Sequence, residues 1–368
     1  MVLGLLDDLV AGQPALTVPK VTITFGAAGG GAGGLLGGLA AVVGLAGVGP
    51  GLADGLAAMR LHRGVAPDVD WAEMLLAPVP GGPDLPAPGD TGSVEIGAGP
   101  SKAGFACTVD LAEPRPDGSL RLTATNGGRL LARARREIAF AERKPGEIVD
   151  ALCAEAGVES DGGSAGEALP RFVVDEGRSL LDHIARLAET AGRLALFDDA
   201  GKLVLVDDTA KAEPVATLAL GAALLDARLA RREAVGRVVI DGAGAGERGG
   251  NAWAWLRKEA GPHRAEAGSG EPGRRHAAPW VRSPDASAAL AEAQGRSVAR
   301  AAAQGRFLAA GVPAITPGAL FDVTGTAQDG LWRALTVDLR FDLAAGLVSE
   351  IRAAPFVGGG GGLLGGLL

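Results

Sequence analysis

The side chains able to do chemistry in this chain are few and scattered. Its histidines, His62, His183, His263 and His276, lie far apart. None is four positions from another, the spacing that sets two imidazoles on one helix face to hold zinc. His183 follows Asp182 at the edge of an apolar helical stripe, where a structural role is expected. Cys107 and Cys153 sit in apolar surroundings with no adjacent His or basic cluster to favour a thiolate. They read as small core hydrophobes rather than as a disulfide framework. Carboxylate pairs occur at Asp198–Asp199 and Asp207–Asp208. Both fall at strand ends, where acidic turn residues are ordinary, so a glycosidase pair has little support. Glycines from Gly26 to Gly38 follow a strand, as a phosphate-cradling loop would, but no Lys-Ser/Thr follows and Asp54 lies in an apolar run. The basic run Arg129, Arg133, Arg135, Arg136, Arg143 and Lys144 lacks interleaved aromatics for base stacking and reads as a solvated or inter-subunit face. No catalytic, cofactor-binding or metal-ligating residue is assigned, no cofactor is implied, and the chain is not read as an enzyme.

Composition bounds the scaffold behind these residues. With 368 residues, 47% hydrophobic and 21% charged, the chain can bury a sizeable core and suits two or three domains. A net charge of −8 gives no basic footprint for phosphate contacts, which argues against sequence-specific DNA binding. Met1 to Val10 carries Asp7 and Asp8 and no basic region, so no secretory signal is read there and cytoplasmic synthesis is expected. Leu35 to Gly49 is apolar, yet shorter than the about 20 residues a spanning helix needs, and it is rich in glycine. It reads as an insertion within a domain in preference to a membrane segment. The tail repeats its chemistry, with Gly358 to Gly362 followed by Leu363, Leu364, Gly365, Gly366, Leu367 and Leu368.

Hydrophobic periodicity then orders the elements. Val21, Ile23 and Phe25 alternate with Lys20, Thr22 and Thr24, the pattern of a half-buried strand. Strands are also expected at Ser93 to Ile96, Phe105 to Leu111, Leu120 to Thr125 and Leu130 to Phe140. Glu147 to Ala156 carries a helical stripe ended by Gly157. Arg171 to Val174 reads as a strand. A second helix begins at Ser179 as N-cap, with Asp182 three residues on, and ends at Gly192. Arg193 to Phe197 and Lys202 to Val206 flank a tight turn and predict a hairpin. Further strands fall at Ala216 to Leu220, Arg237 to Ile240, Leu320 to Thr324, Leu331 to Phe341 and Gly346 to Arg352. Gly242 to Pro284 reads as a long polar loop, and Asp285 to Ala310, Ala-rich and free of Pro, as a helix.

The succession from Arg129 onward resembles the phage late control D family, the baseplate hub proteins of contractile tails. The resemblance rests on the helix Glu147 to Gly157, the strand Phe172-Val173-Val174, the helix Leu180 to Ala188 and the hairpin Leu194 to Val206. It continues in Gly311-Val312-Pro313-Ala314-Ile315-Thr316-Pro317-Gly318 and the strand pair through Trp332 and Gly346. It spans Arg129 to Ala353, is weaker in the first 125 residues, and has no single diagnostic motif. The Gly/Leu-rich insertion and tail depart from the family's pattern.

This resemblance implies a mainly β fold with an α/β insertion, in which two tube-like β-barrel domains are joined by a small helix-containing module. The expected division is 1–126 for the first barrel with its insertion at 26–59, 127–210 for the α/β module, 211–356 for the second barrel with its loop at 242–284, and 357–368 for the tail. It further implies a homotrimer within a virion or injection particle. The trimer would contact the tail tube protein, a separate central spike protein, other baseplate proteins and the tape measure protein, with DNA only as passing cargo; an acidic channel lining is a separate expectation that rests only on the net charge of −8. The competing readings are a membrane-contacting structural protein acting through its Gly/Leu-rich segments, and a cell-wall hydrolase.

Overall fold

The computed structural model describes residues 19–26, 51–82, 84–233, 235–242 and 263–356. Residues 27–50 of the expected insertion, 243–262 of the expected loop and the 357–368 tail lie outside the described residues. The chain is mainly β, as expected, with helices gathered in smaller units. Its first strands are β1 (Lys20–Gly26), β2 (Leu56–Gly64), β3 (Trp71–Leu76), β4 (Thr91–Ala98), β5 (Ser101–Pro114) and β6 (Leu120–Thr125). They pair in the order β1-β4-β5-β6-β3-β2. The last part supplies β12 (Thr217–Ala219), β13 (Leu224–Arg231), β17 (Ala303–Ala310), β18 (Leu320–Thr324), β19 (Gly330–Asp342) and β20 (Gly346–Pro355). Here β12 pairs with β18, β18 with β19, and the path continues β19-β20-β17-β13. A bridge between Leu220 and Leu224 links the end of β12 to the start of β13.

The two groups of strands are one sheet. β2 and β19 run antiparallel from Ala58↔Asp342 to Gly64↔Thr336, and this seam fuses them into twelve strands. Alternation decides which way the side chains go. Leu61, Met74, Phe105, Leu122, Phe307, Val337, Leu339 and Ile351 point inward and share one core. Within it Phe307 meets Phe321 and Trp332 edge-on, at ring-centre distances of 5.6 and 5.0 Å. Gly305 makes that packing possible, because a Cβ there would lie 2.4 Å from the Phe307 ring.

Two units with separate cores branch from this sheet. The first comprises α1 (Gly128–Arg133), β7 (Ile138–Arg143), α2 (Pro145–Glu155), β8 (Ser160–Asp161), β9 (Leu169–Val174), α3 (Leu180–Thr190), β10 (Arg193–Phe197) and β11 (Leu203–Asp207). Its core gathers Leu131, Ile148, Leu152, Phe172, Leu180, Ile184 and Leu187. The N-cap expected at Ser179 is present: its Oγ accepts from the Asp182 amide at 3.0 Å, and Asp182 Oδ2 accepts in return from the Ser179 amide. The second unit packs β14 (Arg237–Gly242), β15 (Arg264–Gly268) and β16 (Gly273–Ala278) against α4 (Pro284–Ala302), around Val238, Ile240, Val281, Leu290 and Val298.

Several expectations need correction. The stretch read as a loop from Gly242 to Pro284 contains β15 and β16, which flank β14. Their sequences, RAEAG and GRRHAA, have no β-branched residue, and pairing with the Val238-Val239-Ile240 strand makes them strands. Leu130 to Phe140 is not one strand. Gly128–Arg133 is a short helix, its first amide held by Asn126 Oδ1 at 2.9 Å, and β7 begins only at Ile138. The helix expected to reach Ala310 stops at Ala302, where Ala303, Gly305, Phe307 and Ala309 turn inward with period two as β17. The insertion placed at 26–59 is too long at its C-terminal side, since Leu56 to Met59 already belong to β2. A seven-residue alternation explains why β1 alone was legible around it.

Candidate functional site

The residues first considered for chemistry are dispersed by the fold. His183 is fully buried, its Nε2 3.1 Å from the Asp175 carbonyl and its ring edge-on to Phe172. His276 lies on β16, where burial lowers its pKa. Cys107 and Cys153 are both buried and unbridged, and burial pushes each thiol up to about 12. Asp199 pairs with Arg63 and Asp198 Oδ1 accepts from the Lys202 amide, so this carboxylate pair is spent on a hairpin turn and its anchor. Asp207 binds Arg193, while Asp208, nearly buried, faces Arg296 and Arg300 of α4 and thereby clamps the two α/β units together. Among the described residues no cluster of three His, Cys, Asp or Glu could hold a metal ion. The basic run does not form one face: Arg129 pairs with Asp110, Arg136 lies 3.8 Å from Glu155, and Arg143 lies 4.0 Å from Glu147.

A different constellation is assembled by the sheet. The outward row Trp71–His62–Asp338–Glu350 runs straight across β3, β2, β19 and β20, each residue opposite the next. Asp338 and Glu350 are therefore directly opposed like charges, and each is only 4% exposed. Such a pair destabilises a sheet unless cations offset it. Arg60 donates to Asp338 at 2.9 Å, and His62 Nδ1 is 3.2 Å from the same oxygen. Arg306 and Arg340 donate to Glu350 at 2.6 and 2.9 Å. Burial pushes the Asp338 pKa up, but the hydrogen bonds from His62 and Arg60 outweigh it and leave the carboxyl below its ordinary value. The Arg306 hydrogen bond is the main reason Glu350 is also held low. Both acids stay charged because the seam surrounds them with cations.

The same device recurs across the sheet. Thr24 and Ser93 join β1 to β4 at 2.8 Å, Lys102–Glu95 joins β4 to β5 at 2.9 Å, and Arg121 reaches Glu113 on β5 and Glu73 on β3. His62 stacks on Trp71 with ring centres 5.3 Å apart, and the Arg60 guanidinium lies 4.9 Å over the same indole. Every pair of neighbours from β1 to β17 is thus tied by outward side chains as well as by backbone.

A third junction docks the first α/β unit. Arg63, 3% exposed at the end of β2, reaches Asp70, Asp199 and the Phe197 carbonyl, the last at 2.6 Å. The Ala66 amide donates to the Ala195 carbonyl and the Ala106 amide to the Asp199 carbonyl, so the β10–β11 hairpin is stitched to the sheet by backbone. Sequence reasoning passed over Arg63, Asp338 and Glu350. Charged residues inside alternating runs, at positions otherwise apolar or opposite one another, were the available signal.

No protein-family model matches this chain, and no curated protein does. Solved structures do. A 43 kDa tail protein of prophage MuSo2 from Shewanella oneidensis matches at 16% identity and a TM-score of 0.63, over 92% of this chain and 98% of that one. A tail protein from Neisseria meningitidis MC58 matches at 12% identity and 0.60, over 81% and 92%. An E. coli component of the type VI secretion system, described as structurally similar to T4 bacteriophage tail proteins, matches at 11% and 0.54, over 82% and 74%. With its fused strand groups, its branching α/β units and these likenesses over most of its length, the chain has the fold of phage tail proteins.

Proposed function

We propose that this chain is a structural baseplate hub of a phage tail or related contractile injection system, of the late control D type. Three copies form a ring that joins a six-fold tail tube to a central spike. The observation that carries this reading is the division of one continuous sheet into two groups of six strands at the β2–β19 seam. Three such chains offer six tube-like units to the tube while keeping three-fold symmetry toward the spike. The proposed domains are accordingly 1–126, 127–210 and 211–356, followed by the tail. The likeness in fold to tail proteins supports a place in the particle beside other baseplate proteins.

In this reading the work is mechanical. A ring that starts tube polymerisation and carries a spike must keep its curvature under load, and the cross-strand ties along the path from β1 to β17 stiffen the sheet. No residue is assigned a catalytic role. Among the described residues no helix is long and apolar enough to cross a membrane.

Light scattering on the purified chain, alone and mixed with its candidate spike, tests the proposal. A trimer, or a monomer that becomes a three-fold complex with the spike, supports it. A strict monomer indifferent to tube and spike proteins overturns it.

A further inference from the structure

Beside the first α/β unit lies a cleft of about 380 Å³ lined by Arg171, Phe172, Val173, Arg186, Pro279, Trp280 and Arg282. That volume is in the range of about 300–1,000 Å³ usual for ligand clefts. Its geometry follows from strand periodicity. Successive residues of a strand face opposite sides of a sheet. Phe172 points into the core and Val173 is half exposed, yet Arg171, Phe172 and Val173 all line the same cleft. The cleft therefore runs along an edge of β9. β9 pairs only with β7 among the described strands, and no β7 residue lines the cleft, so this is the edge turned away from β7.

The opposite wall comes from α3 and from the segment after β16. Trp280 packs against the cores of both α/β units, and its indole carries the Arg186 guanidinium at 5.2 Å. The Trp280 Nε1–H is buried and has no acceptor among the described residues. Among the described residues, every charged one lining the cleft is an arginine, in a chain whose net charge is −8. An unpaired strand edge is a template for another strand. Arginine on that edge disfavours pairing with a second copy of β9, which would set Arg171 against Arg171, and favours a strand that carries carboxylates.

We propose that this cleft binds an extended acidic segment of a partner protein, which adds to the free edge of β9 as a third strand of the β7–β9 sheet. Its carboxylates pair with Arg171 and Arg186, and an apolar side chain between them lies on Trp280 beside Phe172. The occupant touches both α/β units at once and locks their relative position. The inference does not depend on the hub reading and survives its failure.

The test uses the full chain and a short fluorescein-labelled peptide of alternating glutamate and valine, followed by fluorescence anisotropy. Saturable binding is expected, weakened about tenfold or more by Arg171→Glu, a change on an exposed side chain, with the circular dichroism spectrum unchanged. The same peptide N-methylated at alternate amides keeps its charge but loses strand hydrogen bonds, and it is expected not to bind. Amide exchange in residues 169–174 is expected to slow on binding the unmodified peptide. Equal binding by the methylated peptide, or indifference to Arg171→Glu, overturns the proposal. So does a site that heparin or single-stranded DNA occupies more tightly than the peptide with the same Arg171 dependence, since that marks a general polyanion surface.

Discussion

Replacing Glu350 by Gln keeps the shape of the side chain and removes its charge at the centre of the seam. Glu350 accepts from Arg306 at 2.6 Å and from Arg340 at 2.9 Å, with its own carboxylate 4% exposed. Hydrogen bonds to charged groups contribute about 1.5–3 kcal/mol and neutral ones about 0.5–1.5. Gln offers one carbonyl oxygen where Glu350 offers two, so one of the two charge-assisted bonds is lost and its arginine faces an amide N–H, at a cost of about 2 kcal/mol. The two arginines keep about half their side-chain surface in water and can rehydrate. That holds the loss below the about 3–5 kcal/mol of a stranded buried charge. About 2 kcal/mol corresponds to roughly thirtyfold faster amide exchange where opening is local. Hydrogen exchange followed by mass spectrometry is expected to show that acceleration in 330–355 and in 56–64, with 237–242 and 264–278 unchanged. The sign with pH is fixed. The folded pKa of Glu350 is lowered, so its contribution is complete above the ordinary value of about 4.3 and is lost as pH falls through the folded value. The difference between Glu350→Gln and the parent chain should therefore shrink on acidification. Less than a threefold change at neutral pH, or an equal change in every segment, would refute the reasoning.

Three further outcomes follow from the same geometry. Burial raises the Asp70 pKa to about 6 from an unfolded 3.8, so Asp70 costs stability as pH rises from about 4 to 6, by about 3 kcal/mol; thermal scans should show this slope flattened in Asp70→Asn relative to the parent chain. Leu290→Ala removes a 3% exposed side chain from the core of the second α/β unit and should cost about 2–5 kcal/mol, with faster exchange in 237–242 and 264–302; spread of the effect to β4 and β5 would show that the cores are not separate. Neither cysteine should react with a thiol reagent in the native chain at pH 8, because both are buried with pKa values near 12, and both should react once it is unfolded; a fast native reaction at either position would contradict the packing.

By itself the sequence determined whatever depends on neighbours along the chain. The alternation of Lys20 to Phe25 made β1, the Ser179–Asp182 spacing capped α3, and the turn at Asp198 to Gly201 closed the β10–β11 hairpin. Those local patterns, in order, were enough to suggest the fold. Where local pattern was weak, only tertiary structure decided. The segments 264–268 and 273–278 became strands because β14 lay between them, and the Ala-rich run switched from helix to strand at Ala303 because β13 and β20 were there to pair with it. The site itself was invisible for the same reason. Asp338 and Glu350, His62 and Trp71 are ordinary outward residues of their own strands, and only register sets them in one row. Register is fixed by which residues far apart in sequence share a buried face, and a single strand holds no record of its partner.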